Sequence, residues 1–384
     1  MASGSNKMSL LFSPFTQRDV TLRNRAVVAP MCQYSARHGV PNEWHLVHLG
    51  RFALGGFGLV MVEATGVSPE GRISYADTGI WNDTQRDAFA RIAAFLKSQG
   101  AVPAIQIAHA GRKASTPVGW RGKFNETDAE KQAAAFEHWQ PVGPSAIPHS
   151  SSPDFQVPVA LDKKGIQKVV DDFAAAFKRA DQAGFEVAEI HAAHGYLINQ
   201  FLSTTSNQRT DEYGGSRENR MRLLLEIAEA VRPIWPASKP LWTRISVVDG
   251  KDGWTVEDSV ALVPELKARG VDLIDCTTGG FDGTSVKPGA HYQVPMAAAL
   301  RKAGLPTAAV GLIQDALDAE QVLQDGEADL IMLARGALED PNWAEHAQHA
   351  LTKSEEAYKL WPIQAAARIR DKDRVLKLRG FAEA

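Results

Sequence analysis

Short apolar runs alternate with longer amphipathic stretches along this chain. Eight runs read as strands: Ala26–Ala29, Leu59–Val62, Ala104–Ala108, Val187–Ile190, Leu241–Ile245, Leu273–Asp275, Thr307–Val310 and Leu330–Leu333. They are apolar or β-branched almost throughout, which is how strands covered on both faces read. Between them the spacing predicts helices. Over Asp162–Gln182, the residues Ile166, Val169, Val170, Phe173, Ala174 and Phe177 recur at i, i+3, i+4, i+7, i+8 and i+11, one helical face, with Asp162 placed to cap it. Thr255 precedes a helix running toward Arg269 that Gly270 would stop, and Asp340-Pro341 opens another. Strands that alternate with helices pair in parallel, because parallel neighbours need crossovers. Eight is the number that closes a (β/α)8 barrel, so the expected fold class is α/β, a single TIM barrel over 8–384. An open doubly wound sheet is the alternative, but no G-x-G-x-x-G follows the first strand to support it.

Two segments stand outside the alternation. Residues 117–157 are polar and punctuated by proline, and read as a long loop inserted after strand three. Residues 1–7 read as a loose or artificially added arm, with Met8 a candidate natural start. The 384 residues would also accommodate two or three domains, but the barrel, its loop and a tail use nearly all of them. A net charge of −3 gives no footing for nucleic acid or an anionic membrane, and no run approaches a bilayer span of roughly 18 apolar residues. Two cysteines, Cys32 and Cys276, exclude a disulfide scaffold and a cysteine-ligated metal or iron–sulfur cluster. Cytoplasmic location and a small-molecule substrate are the expectations.

Chemistry in a closed barrel sits at the C-terminal strand ends, and the polar residues gather there. Strand one ends in Pro30-Met31-Cys32 and strand two in Glu63-Ala64-Thr65. Strand three carries Gln106 and His109, and strand four runs into His191-Ala192-Ala193-His194-Gly195-Tyr196. Strand five contains Arg244, strand six ends in Thr277-Thr278-Gly279-Gly280, strand seven at Gly311, and strand eight at Arg335-Gly336. Gln106 and Arg244 interrupt apolar strands, so each needs a ligand, the other, or a loop carboxylate as partner. Gly279, Gly280 and Gly311 would let backbone N–H groups approach an anion, and Arg335 offers a charged fork. His191 and His194 have three open readings: a metal site completed by Glu63, Glu189 or His109, an oxyanion site, or structural hydrogen bonding. Tyr196 adds a weak acid. Cys32 is either a small apolar filler or a group facing the ligand.

Taken in order, Ala-Pro-Met-Cys-Gln-Tyr (29–34), Glu-Ala-Thr (63–65), Gln-Ile-Ala-His-Ala-Gly-Arg-Lys (106–113), His-Ala-Ala-His-Gly-Tyr-Leu (191–197) and Asn-Gln-Arg-Thr-Asp-Glu-Tyr-Gly-Gly-Ser (207–216) resemble the Old Yellow Enzyme family. Cys32 after Pro-Met, with Tyr34 two residues on, is similar to its thermophilic-like ene-reductases. The resemblance runs from about Leu10 to Trp343. It implies a barrel holding one non-covalent FMN, reduced by NADPH or NADH, that then reduces an activated C=C bond. It further implies that Ala29, Pro30, Met31, Cys32, Ala64 and Gln106 line the isoalloxazine, with Cys32 modulating the ring and Arg244 near its N1 and O2. Gly311, Ala334 and Arg335 resemble the phosphate elements, with Gly279 and Gly280 nearby; relatives usually have Gly-Arg where this chain has Ala334-Arg335. His191 and His194 would hold the substrate carbonyl, Tyr196 would protonate the α-carbon, and Tyr34 would be a second substrate-side tyrosine. Members often form dimers or tetramers that project a C-terminal residue into the neighbouring site, for which Trp361, Arg368, Arg374 and Arg379 are candidates here. The competing reading from the residues alone is a metal-dependent barrel hydrolase using His191 and His194 with Glu63.

Overall fold

All eight expected strands close into one parallel barrel. A computed structural model describes residues 9–120, 138–250, 252–281, 286–352 and 355–379. Two short strands, β1 (Phe15–Gln17) and β2 (Val20–Leu22), form an antiparallel hairpin. The barrel strands are β3 (Ala26–Val28), β4 (Leu59–Gly66), β5 (Val102–Ala108), β8 (Val187–Ala192), β9 (Leu241–Ser246), β10 (Leu273–Thr277), β11 (Thr307–Ala309) and β12 (Leu330–Leu333), and β12 pairs back onto β3 to close the ring. An open sheet is thereby excluded.

The continuous apolar runs follow from burial on both faces. Inward positions such as Val27, Leu59, Val187, Trp242, Leu273 and Leu330 pack together inside the barrel. The alternate residues Val28, Val60, Ala188, Ile245, Ile274 and Ile331 pack outward under the helices. The hairpin shuts the N-terminal mouth: Val20 and Leu22 join the interior cluster, and Trp242 Nε1–H donates to Gln17 Oε1 at 2.8 Å.

Asp162 caps helix Lys163–Gln182 by accepting from the Gly165 N–H at 2.7 Å, and Thr255 caps Val256–Ala268. The buried face of the first helix is completed by Ala176 and Ala180, while Ala174 is only half-buried. Strand boundaries shift where geometry demands it. β4 runs past Val62 to Gly66 because a register shift between Val62 and Thr65 absorbs Glu63-Ala64 and pairing resumes beyond it. β11 stops at Ala309 because the chain turns into Gly311, whose φ of +126° only glycine adopts easily. Of the stretch expected as a long loop, residues 121–137 lie outside the described residues, as do residues 1–7. The remainder contributes Val142–Gly143 (β6), which pairs in parallel with Val159–Ala160 (β7).

Candidate active site

The period-two alternation that builds the barrel also builds its chemistry. Moving toward the C-terminal mouth, inward positions change from apolar to polar: Val187, Glu189, His191 on β8; Trp242, Arg244 on β9; Leu273, Asp275, Thr277 on β10; Ala104, Gln106 on β5. Among the described residues, neither Gln106 nor Arg244 pairs with the other or with a loop. Gln106 Nε2–H donates to Glu189 Oε1 at 2.8 Å, and Arg244 Nε lies 2.9 Å from Asp275 Oδ2. These partners come from neighbouring strands in register, Gln106 beside Glu189 and Arg244 beside Asp275.

Beside this layer stand the two histidines and a tyrosine. The ring of His191 lies 5.2 Å from that of His194 and 5.0 Å from that of Tyr196, edge to face in both pairs. The chain reaches this arrangement through a left-handed turn, with φ of +57° at His194 and +70° at Gly195. Ser246 Oγ accepts from the His194 N–H at 2.9 Å, and Asn199 Oδ1 from the Gly195 N–H at 2.8 Å. His191 Nδ1 accepts from the Ala193 N–H, which leaves its proton on Nε2 as a donor. His194 Nε2 is 3.1 Å from Thr277 Oγ1. Burial, with the Arg244 charge adding to it, pushes both imidazoles well below their ordinary range, so both are neutral near pH 7. Burial equally pushes the Tyr196 hydroxyl up, so it keeps its proton. Tyr196, Tyr34, Cys32 and Trp139 pack around Ile73, Ala110 and Ala114 as one satellite cluster. The Cys32 thiol is pushed up by burial and by Asp77 and Glu63, and stays a thiol. Cys276 is fully buried in the core.

A cavity of about 200 Å³ opens beside the histidines, lined by His194, Arg244, Gly311, Ala334 and Arg335 among others. A Cβ on Gly311 would meet the Tyr292 ring and Gln293 at 3.2 Å, so the backbone there is bare toward the cavity. Arg335 is exposed at the start of helix Arg335–Glu339. Gly279 and Gly280 occupy a different place. The Gly279 N–H is already given to Val248 O at 3.0 Å, and a Cβ on Gly280 would fall 2.0 Å from the His194 carbonyl carbon. Those glycines let strand six brace the His194 turn. The lining fits FMN in its chemistry: two guanidiniums, Arg244 and Arg335, and the bare Gly311 backbone border one cavity and could meet the polar ring edge and the phosphate of that group.

The sequence reading missed Asp275 and Lys113. Asp275 was visible as an acid inside an apolar strand, but its partner was not. Lys113 Nζ donates to His194 O at 2.9 Å and stands 5.0 Å from the centroid of the Tyr196 ring. The metal-hydrolase reading finds no support. Glu63 lies against His45 (3.8 Å) instead of the histidine pair, and among the described residues no three His, Cys, Asp or Glu side chains gather to hold a metal ion. Nor is any described helix long and apolar enough to cross a membrane.

Residues 10–354 match the model of a family described as the NADH:flavin oxidoreductase / NADH oxidase family. An NADPH dehydrogenase of Geobacillus thermodenitrificans is 44% identical over 361 residues, which is 93% of this chain and 97% of that one. Among solved structures, morphinone reductase superposes with a TM-score of 0.75 at 27% identity, over 91% of each chain. An old yellow enzyme homologue from Zymomonas mobilis does so with a TM-score of 0.72 at 26% identity, over 90% of this chain and 93% of its own.

Proposed function

Because the chain belongs to the NADH:flavin oxidoreductase / NADH oxidase family, as an Old Yellow Enzyme-type flavoprotein that uses FMN and NAD(P)H, we propose that it reduces the C=C bond of α,β-unsaturated carbonyl compounds (enones, enals and maleimides), with nitro compounds as a further substrate class. FMN, when bound, supplies the reducing equivalents to the β-carbon after taking them from the nicotinamide. The rest of the chemistry falls to this chain's own side chains. His191 and His194, held neutral by burial, donate hydrogen bonds to the substrate carbonyl oxygen and stabilise the enolate charge that develops on it. Tyr196, beside His191, delivers its proton to the α-carbon. Tyr34, packed in the same cluster as Tyr196, would be a second substrate-side tyrosine. Ala29, Pro30, Met31, Cys32, Ala64 and Gln106 would hold the isoalloxazine, with Arg244 at its pyrimidine edge and Gly311, Ala334 and Arg335 at the phosphate. Nicotinamide and enone use the pocket in turn, a ping-pong cycle that needs no second nucleotide domain. The observation that carries this reading is the His191–His194–Tyr196 cluster beside Arg244, which is in register with His191.

The free thiols Cys32 and Cys276 fit operation in the reducing cytoplasm. Helix Ile363–Leu378 buries none of its residues and exposes Ile363 and Leu378, which supports a homo-oligomer that covers it.

The test separates the half-reactions. The purified protein should be yellow, bleach anaerobically with NADPH, and recolour with a cyclic enone. Tyr196→Phe should keep bleaching within about twofold and recolour some 100-fold more slowly, in the range general acids supply. Equal loss in both steps would remove the proton-donor assignment, and a protein that never binds FMN would remove the whole reading.

A further inference from the structure

Inside the barrel, next to the histidines, two carboxyls flank a single cation: Arg244 is in register with His191 on one side and Asp275 on the other, and Glu189 lies two residues before His191. Glu189 and Asp275 are fully buried, and Arg244 is 6% exposed. β9 lies between β8 and β10, so the acids flank the arginine from both sides. Asp275 Oδ2 is 2.9 Å from Arg244 Nε, but the two are not aligned as a hydrogen bond. Glu189 has only the Gln106 amide, on Oε1, and its Oε2 finds no hydrogen-bond partner among the described residues. The histidines beside this layer, His191 and His194, are uncharged near pH 7 because of burial, and Cys276, on the outer face of β10, keeps its proton for the same reason. Lys113, the next cation, is spent on the His194 carbonyl.

The charge count then decides. With both acids ionised, the layer would carry net −1 in a buried setting. With both protonated, Arg244 would be a buried cation without a counter-charge. Either state is strongly disfavoured. One proton shared between the two acids makes the layer neutral. Burial pushes both carboxyls up, Asp275 to about 6 and Glu189 well above its ordinary range, in keeping with one of them holding a proton.

We propose that Glu189 and Asp275 are positioning residues that share one proton, carry one negative charge between them, and so set how much of the Arg244 charge reaches the flavin. This rests on the reading that Arg244 faces the isoalloxazine. A bare guanidinium there would favour the anionic reduced ring strongly. The shared carboxylate offsets part of that pull, and either acid can carry it.

The test compares wild type, E189Q, D275N, E189Q/D275N and R244M. The readouts are the ratio of apoprotein affinities for reduced and oxidised FMN, obtained from the flavin midpoint potential against a reference dye, and the thermal midpoint of each apoprotein. Each single acid variant should hold the ratio within about twofold, since the remaining carboxyl takes the charge. The double variant should favour reduced FMN at least tenfold more, a rise of about 30 mV for a two-electron couple. A single variant as large as the double would overturn proton sharing. An unchanged double variant, with R244M lowering the potential, would overturn the counterweight while leaving Arg244 at the flavin. R244M without effect would show instead that Arg244 does not face the ring. If the double variant does not fold, infrared spectra of wild type and the near-isosteric E189Q decide. E189Q should lose the absorption of one protonated carboxyl at pH 7, and retention of the full band would overturn the proposal.

Discussion

The Lys113 ammonium donates to the carbonyl oxygen of His194 across 2.9 Å, joining two segments 81 residues apart in sequence. Lys113 ends the short turn Gly111–Lys113 after β5, and His194 opens the turn after β8. The same ammonium lies over the Tyr196 ring, so one cation steadies both the carbonyl-binding turn and the acid. Lys113→Met keeps most of the stem and removes the charge-assisted hydrogen bond, roughly 1.5–3 kcal/mol at most. Stopped-flow traces should show flavin reoxidation by enone slowed about tenfold, with reduction by NADPH changed less than twofold. Equal slowing of both would mean that Lys113 acts on the whole pocket and not on this turn.

The His194 turn has a second brace. A Cβ on Gly195 would sit 2.1 Å from the Gly280 carbonyl oxygen, and one on Gly280 would sit 2.2 Å from the Gly195 nitrogen. These are backbone atoms, so alanine at either position forces the two turns apart. For Gly280→Ala we expect phenolic ligands, which mimic the enolate, to bind at least tenfold more weakly by spectral titration, while bound flavin is retained. Wild-type phenol affinity in that variant would show that the turns separate without moving His194.

Legibility in the sequence followed the range of the interactions. The eight strands could be read because burial on both faces leaves an apolar run that needs no knowledge of neighbours. His191, His194 and Tyr196 could be read because one strand end carries all three. Trp242 with Gln17, Arg244 with Asp275, and Lys113 with His194 could not, since each pair is joined only by barrel register or closure. Gly279 and Gly280 illustrate a different limit. Their glycine character was plain, but whether it served an anion or a close backbone approach depended on what lay opposite, and that was His194 and Gly195.

Glu345 is fully buried in helix Trp343–Thr352 with neither carboxyl oxygen hydrogen-bonded among the described residues. Burial raises its pKa from 4.5 to about 8, only partly offset by the Arg23 charge. A folded-state pKa above the unfolded one contributes stability that is complete below pH 4.5 and is lost as pH rises toward 8. Glu345→Gln imitates the protonated acid at every pH. Its thermal midpoint should therefore match wild type near pH 4.5 and exceed it by at least about 2 °C at pH 8. A difference that does not change with pH would mean the carboxyl is not the titrating group.

Arg335 stands at the rim of the cavity that also contains Gly311, and it is the exposed one of the two arginines lining it. If it holds the FMN phosphate, its contribution should appear only for a ligand that carries that phosphate. Riboflavin, which has the same ring and ribityl chain, serves as the internal control. A charge-assisted hydrogen bond to phosphate is worth roughly 1.5–3 kcal/mol, and solvent exposure argues for the lower end. Arg335→Ala should therefore weaken FMN binding to the apoprotein about tenfold, by fluorescence titration, and change riboflavin binding less than twofold. Added salt should erode the wild-type preference for FMN over riboflavin and leave the variant's smaller preference less affected, since an exposed ion pair is screened within about 10 Å at 0.1 M. A parallel loss of both flavins would assign Arg335 to the shape of the pocket and leave the phosphate to the backbone around Gly311.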